Sequence, residues 1–96
     1  MRVRFLGPAR DEFRDSIRYY NAQRKGLGSE FRDEVKVAIK LIQKHPEAWH
    51  PLSERTRRCL VNRFPYGVIY QVRDQEILVV AIAHLHRKPD YWVDRI

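Results

Sequence analysis

Seven consecutive apolar residues, Ile77 to Ala83 (ILVVAIA), follow a polar turn and run straight into His84. The run is short and rich in β-branched residues, so it reads as a strand with both faces apolar. Such a strand needs cover on both sides of its sheet. It lies in the middle of the sheet, with the second face covered by the chain itself or by a partner. With 96 residues in all, the chain has room for one core and one domain, residues 1–96.

The neighbouring segments supply the rest of that core. Val3 and Phe5 alternate with Arg2 and Arg4 in a first, half-buried strand. Gly7-Pro8 ends it, and Pro8 suits the first turn of a helix, where its missing N–H costs nothing. Ala9, Phe13, Ile17 and Tyr20 recur at helical spacing, with Asp11 and Glu12 expected in the first turn and Arg24 and Lys25 in the last. Gly26 is the expected C′ residue. Leu27, Phe31, Val35, Ala38, Ile39 and Ile42 form the stripe of a second helix, which His45-Pro46 stops. So short a link implies an antiparallel helical hairpin.

The stretch from Pro46 to Thr56 reads as a loop. From Arg57 the period becomes two: Cys59 and Val61 share one face, and Arg58, Leu60 and Asn62 share the other. Tyr66 to Arg73 is the next strand, and a turn at Asp74-Gln75 leads into Glu76–Ala83. Asp90 to Ile96 suit one terminal helical turn. The order β-α-α-β-β-β predicts an α+β domain, with the helical hairpin packed on a small, mostly antiparallel sheet.

Charge narrows the partners. Nineteen Lys+Arg against twelve Asp+Glu give +7, and arginines outnumber lysines fourteen to five. Arginine forks suit carboxylates and phosphates, so an acidic protein or a polyanion is the matching partner class. Arg55, Arg57, Arg58 and Arg63 form a block without an acid before Asp74. The first helix instead alternates its signs, as a solvated face does. The single cysteine, Cys59, excludes an intrachain disulfide and fits a reducing compartment, with a buried, inert thiol. No apolar run is long enough for a membrane span and no signal-peptide core is present, so the expected location is the cytoplasm, away from membranes.

The residues after the apolar strand, His84, His86, Arg87, Lys88, Tyr91 and Trp92, gather imidazoles, cations and aromatics where an apolar strand stops. His84 and His86 are too few to hold a metal, and Arg87 and Lys88 oppose a dication, so neither a metal nor a cofactor is expected. A metal-free RNA cleavage is chemically accessible: His84, His86 and Tyr91 would transfer protons while Arg58, Arg63 or Arg87 stabilise the phosphorane. The plainer alternative has Tyr91 and Trp92 pinning the C-terminus to the core beside solvated cations. A helix-turn-helix DNA reader fits poorly, because the link is tight and the helix charges alternate.

The N-terminal strand into Ala9 and Phe13, Gly26-Leu27-Gly28, Phe31, Ile42 to His45-Pro46, Arg57-Arg58, Phe64-Pro65-Tyr66 and the His84, Arg87, Tyr91-Trp92 tail occur together. In that order the chain resembles the RelE/ParE superfamily of bacterial type II toxins, over nearly all its length. The resemblance implies a microbial-ribonuclease-like fold, growth inhibition when free, and neutralisation by a cognate antitoxin that lays an acidic or amphipathic segment on it. Operator DNA would be met only through the antitoxin complex.

The target is DNA gyrase in the ParE branch and mRNA in the ribosomal A site in the RelE branch. Nuclease roles would fall to His84, His86, Arg87 and Tyr91, with Arg58 and Arg63 as supporting cations. However, Gly67 stands after Tyr66, where RelE-type nucleases carry Arg, and Leu60 stands in place of a second cation. The tail favours the ParE branch, whose target-binding surface would comprise Arg57, Arg58, Arg63, Arg87, Lys88 and Trp92. That branch needs a binding surface rather than a catalytic set. An inactive fold that only binds antitoxin is the third reading. For antitoxin docking, Leu78, Val80 and Ile82 form a candidate apolar row if the helices leave them uncovered, and an exposed sheet edge is another site.

Overall fold

A computed structural model describes all of residues 1–96. Strand β1 (Arg2–Phe5) leads into helices α1 (Gly7–Gln23) and α2 (Leu27–Lys44). A two-residue strand β2 (His50–Pro51) precedes β3 (Thr56–Leu60), β4 (Tyr66–Arg73) and β5 (Glu76–His84), and a 3-10 turn covers Val93–Arg95. The five strands form one sheet in the order β1-β5-β4-β3-β2, antiparallel except that β1 runs parallel to β5. The α+β architecture expected from the strand and helix periods is the one observed. No helix is long and apolar enough to cross a membrane.

The stripe of α2 packs as its spacing predicts: Phe31, Val35, Ala38 and Ile42 are buried. They meet Cys59, Val61, Val68, Tyr70, Ile77, Val79 and Ile82 in the main core. At the hairpin, a Cβ on Gly28 would stand 2.6 Å from Asn21 Cγ and closer still to the Ile17 carbonyl. Only glycine lets α2 start so near α1. Asn21 Oδ1 then accepts from the Gly28 N–H at 2.7 Å, satisfying one of the free amides of the new helix.

Three details of the helices depart from expectation. Helix α1 begins at Gly7, so Asp11 and Glu12 lie beyond its first turn. It ends at Gln23, so Arg24 is the cap residue and Lys25 falls outside the helix. Gly26, at φ +87°, is the N-cap of α2 rather than the residue that closes α1. The charges of α1 therefore owe little to its dipole. The long loop also holds a strand: His50 and Pro51 pair with Arg58 and Arg57.

The two-faced strand β5 is covered on both sides by its own chain. Its pairing with β4 slips between Ile69 and Tyr70, which face Ala81 and Val79, so Val80 is an extra, bulged residue. The bulge breaks the alternation. Ile77, Val79 and Ile82 join the helix-side core, whereas Val80, Ala81 and Ala83 join a second cluster with Ile69 and Trp92. Leu52 and Tyr91 pack against that second cluster.

The row Leu78, Val80, Ile82 is consequently not a row. Val80 and Ile82 belong to different cores, and all three residues are at most 2 % exposed. No apolar groove of these residues is open on the free chain: Ile82 is buried on the helix side, Val80 on the tail side, and Leu78 is buried as well.

Candidate functional site

The face of the sheet away from the helices is only half covered. Over β5 the tail lies flat, with Trp92 buried. Over β3 and β4 a cleft of about 150 Å³ remains, lined on its sheet side by Arg58, Ile69, Ala83 and His84 and on its tail side by Arg87, Lys88, Asp90, Tyr91 and Trp92. Of the target-binding residues expected from sequence, Arg58, Arg87, Lys88 and Trp92 thus come together. Arg57 and Arg63 do not. Arg57 donates to the Trp49 carbonyl at 2.9 Å, and Arg63 reaches α2, where it pairs with Glu30 at 2.7 Å and Glu34 at 3.6 Å. That pairing holds the Glu30 carboxyl below its ordinary range.

Arg58 owes its place to its neighbours on the sheet. It lies opposite Ile69, with its stem across Gly67: a Cβ on Gly67 would stand 2.8 Å from both Arg58 Cγ and Cδ. Gly67 is thus the floor on which Arg58 lies. The Arg58 Nε is buried without a hydrogen-bond partner. The ion pairs of the molecule use Arg4, Arg14, Arg24, Arg32, Arg63, Arg87 and Arg95, leaving Arg58 and Lys88 without a carboxylate. Leu60, paired with Gly67, and Leu85, on its other flank, are 57 % and 42 % exposed. Cations and exposed leucines therefore share one small face.

The tail is tied down by residues that sequence patterns did not single out as partners. Glu12 accepts from the Tyr91 hydroxyl at 2.6 Å, from the Ile82 N–H at 3.1 Å, and from two nitrogens of Arg95 at 2.8 and 3.0 Å. Arg95 also donates to the Val80 carbonyl at 3.0 Å. Strand β1 ends at Phe5 opposite Val79, so on that edge β5 has no strand neighbour beyond this point. Glu12 and Arg95 supply the hydrogen bonds a strand would have made. The one sequence signal is that Glu12 lies one turn from both Ala9 and Ser16, which are buried in α1. Nothing marks Arg95 as its partner, 83 residues away.

This network changes what the tail can do chemically. Burial, then the hydrogen bond to Glu12, push the Tyr91 hydroxyl far above its ordinary range, so it holds its proton at neutral pH. Arg87 stacks over the Tyr91 ring at 3.9 Å from its centroid. Tyr91 is engaged in holding the tail, as in the plainer of the two sequence readings, whereas Arg87, a solvated cation in that reading, stacks on its ring. His84 ends β5 with its ring 5.1 Å from those of Tyr66 and His86. Its Nδ1 accepts the His86 N–H at 3.0 Å, shaping the turn, and His86 does not line the cleft. No three His, Cys, Asp or Glu side chains gather at one point.

Residues 3–89 match the family model described as the ParE toxin of the type II toxin-antitoxin system parDE. The chain belongs to the ParE toxin family. Among solved structures, it is similar to one described as the chromosomal ParDE TA system from P. aeruginosa, at a TM-score of 0.77. The match covers 90% of this chain and 97% of that one at 13% identity, a likeness of fold. No curated protein matches the sequence. For a ParE-family chain the half-open sheet face, with its cations and leucines, is the candidate working surface.

Proposed function

We propose that this ParE-family toxin acts in the cytoplasm by binding DNA gyrase and arresting growth, and that a cognate antitoxin with an acidic or amphipathic segment neutralises it. The observation that carries the reading is the state of the tail. Tyr91 donates a hydrogen bond to Glu12 and keeps its proton, and Arg87 lies on Tyr91, so the cleft presents the unpaired cations Arg58 and Lys88 rather than a proton-transfer set. Such a surface suits binding.

Inducible expression with pulse labelling tests this. DNA synthesis should fall within the first minutes, with SOS induction, while translation continues. Purified toxin should also change gyrase supercoiling and raise cleavage complexes. Unchanged gyrase at saturating toxin sinks the proposal. A second reading, ribosome-dependent mRNA cleavage, draws on His84 at the rim of a cleft that also holds Arg58. An early loss of translation, relieved by His84→Ala or Arg87→Ala with antitoxin binding intact, would establish it. Harmless overexpression would leave an antitoxin-binding module.

A further inference from the structure

We infer that the cleft beside Gly67 is a carboxylate subsite, which takes an Asp or Glu of an acidic peptide segment whose neighbouring apolar residue rests on Leu60 and Leu85. The inference rests on the open sheet face being the working surface, and it names the chemistry that this surface recognises.

Four observations converge on it. Arg58 is half-buried and joins no ion pair, so its guanidinium is free to pair with an oxyanion. Arg87 and Lys88 stand across the cleft and Asp90 is the one acid of the lining, so an incoming carboxylate meets an excess of positive charge. The cleft, at about 150 Å³, has room for a side chain. Finally, Leu60 and Leu85 expose apolar surface on either side of Gly67, beside the Arg58 stem.

The last point separates a peptide from a nucleic acid. Single-stranded nucleic acid wants aromatic faces on which bases can stack. Here Trp92 is 4 % exposed and the Tyr91 ring is covered by Arg87, so the aromatics of the tail face inward. What the surface offers instead is leucine beside arginine. An acidic residue next to an apolar one satisfies both, and steering by the +7 chain speeds the encounter.

The test is a titration of the isotopically labelled full chain, followed by NMR and by fluorescence anisotropy. The probes are a short synthetic peptide alternating Glu and Leu, an oligoglutamate of equal charge, and an oligouridylate of equal charge. The Glu-Leu peptide should bind tightest and shift the amides of Arg58, Gly67, His84 and Leu85. Arg58→Gln should weaken it by about tenfold or more, and Arg58→Lys by less. Gly67→Ala should weaken it with no change of charge, because the new Cβ displaces the Arg58 stem. Arg14→Ala, on the exposed face of α1, should have no effect, and the Arg58 and Arg14 variants should keep the urea midpoint of the parent within error.

Equal or tighter oligouridylate binding at the same amides would overturn the inference in favour of a nucleic-acid site. Equal binding of oligoglutamate, or an equal loss with Arg14→Ala, would reduce it to unspecific charge attraction. The titration reads neither growth nor gyrase. A failed gyrase assay therefore leaves this result standing, and a failed titration leaves the gyrase assay to be judged alone.

Discussion

Four hydrogen bonds converge on the Glu12 carboxylate, from the Ile82 N–H, the Tyr91 hydroxyl and two nitrogens of Arg95. The Glu12 and Arg95 side chains are only 16% and 18% exposed, so each would be costly to leave unpaired. Glu12→Gln keeps the shape but strips the charge that answers Arg95. We expect it to lower stability by about 2–3 kcal/mol, somewhat below the range for a fully buried pair. Urea unfolding measures this directly, and a loss within error of zero would mean that the pair is as well solvated apart as together. Glu12 illustrates why single residues are hard to assign from sequence. Its place near the first turn invites a helix-dipole explanation, while its partners lie 70 to 83 residues away. Cys59 is the opposite case: its apolar strand context suggests burial, and the thiol is buried and pushed up to about 11.

Among the elements, the helical hairpin and β5 depend on different things. The hairpin depends on the absence of a side chain at Gly28, where a methyl group would press on the Ile17 carbonyl and on Asn21. Gly28→Ala should destabilise the fold by about 1–3 kcal/mol, as overpacking of a fitted contact does. A thermal or urea melt checks it, and an unchanged melt would show that the two helices can part without loss. Strand β5 depends on its bulge. Without Val80 as an extra residue, Ile82 would turn from the helix-side core to the tail side, and the row Leu78, Val80, Ile82 would exist. Apolar composition makes β5 a central strand and leaves open which residues face which layer. A run apolar on both faces carries no alternation from which to read a slip.

For the whole molecule, four groups point the same way in their ionisation. Burial is the leading cause in each: it raises Tyr20, Cys59 and Tyr91 and lifts Tyr70 to about 12, with Glu12 adding to the rise of Tyr91. Each is raised above its unfolded value, so the unfolded chain gives up these protons first and folding stability falls as pH rises. The contribution is complete below the ordinary values of the free groups, 9.0 for Cys59 and 10.0 for the tyrosines, and is lost as pH rises through the raised folded-state values. Urea midpoints measured from pH 8 to 11 should decline from about pH 9 upward. Tyr91→Phe should make that decline shallower at its upper end. An unchanged slope would show that Tyr91 sits in the same environment folded and unfolded.

Much of this protein is settled by short-range pattern. Period two and period 3.6, with proline and glycine at the breaks, place α2 at Leu27–Lys44 and β4 at Tyr66–Arg73, because turns and amphipathic faces act over a few residues. The same pattern makes β5 a strand that must be covered twice. Tertiary structure alone decides the rest. It splits the basic block, sending Arg63 to α2 and Arg58 to the cleft; it covers β5 with the chain's own tail; and it pairs Glu12 with Arg95. These outcomes depend on side chains far apart in the chain meeting in one place, and on where a single bulge shifts a register. No local period carries either fact.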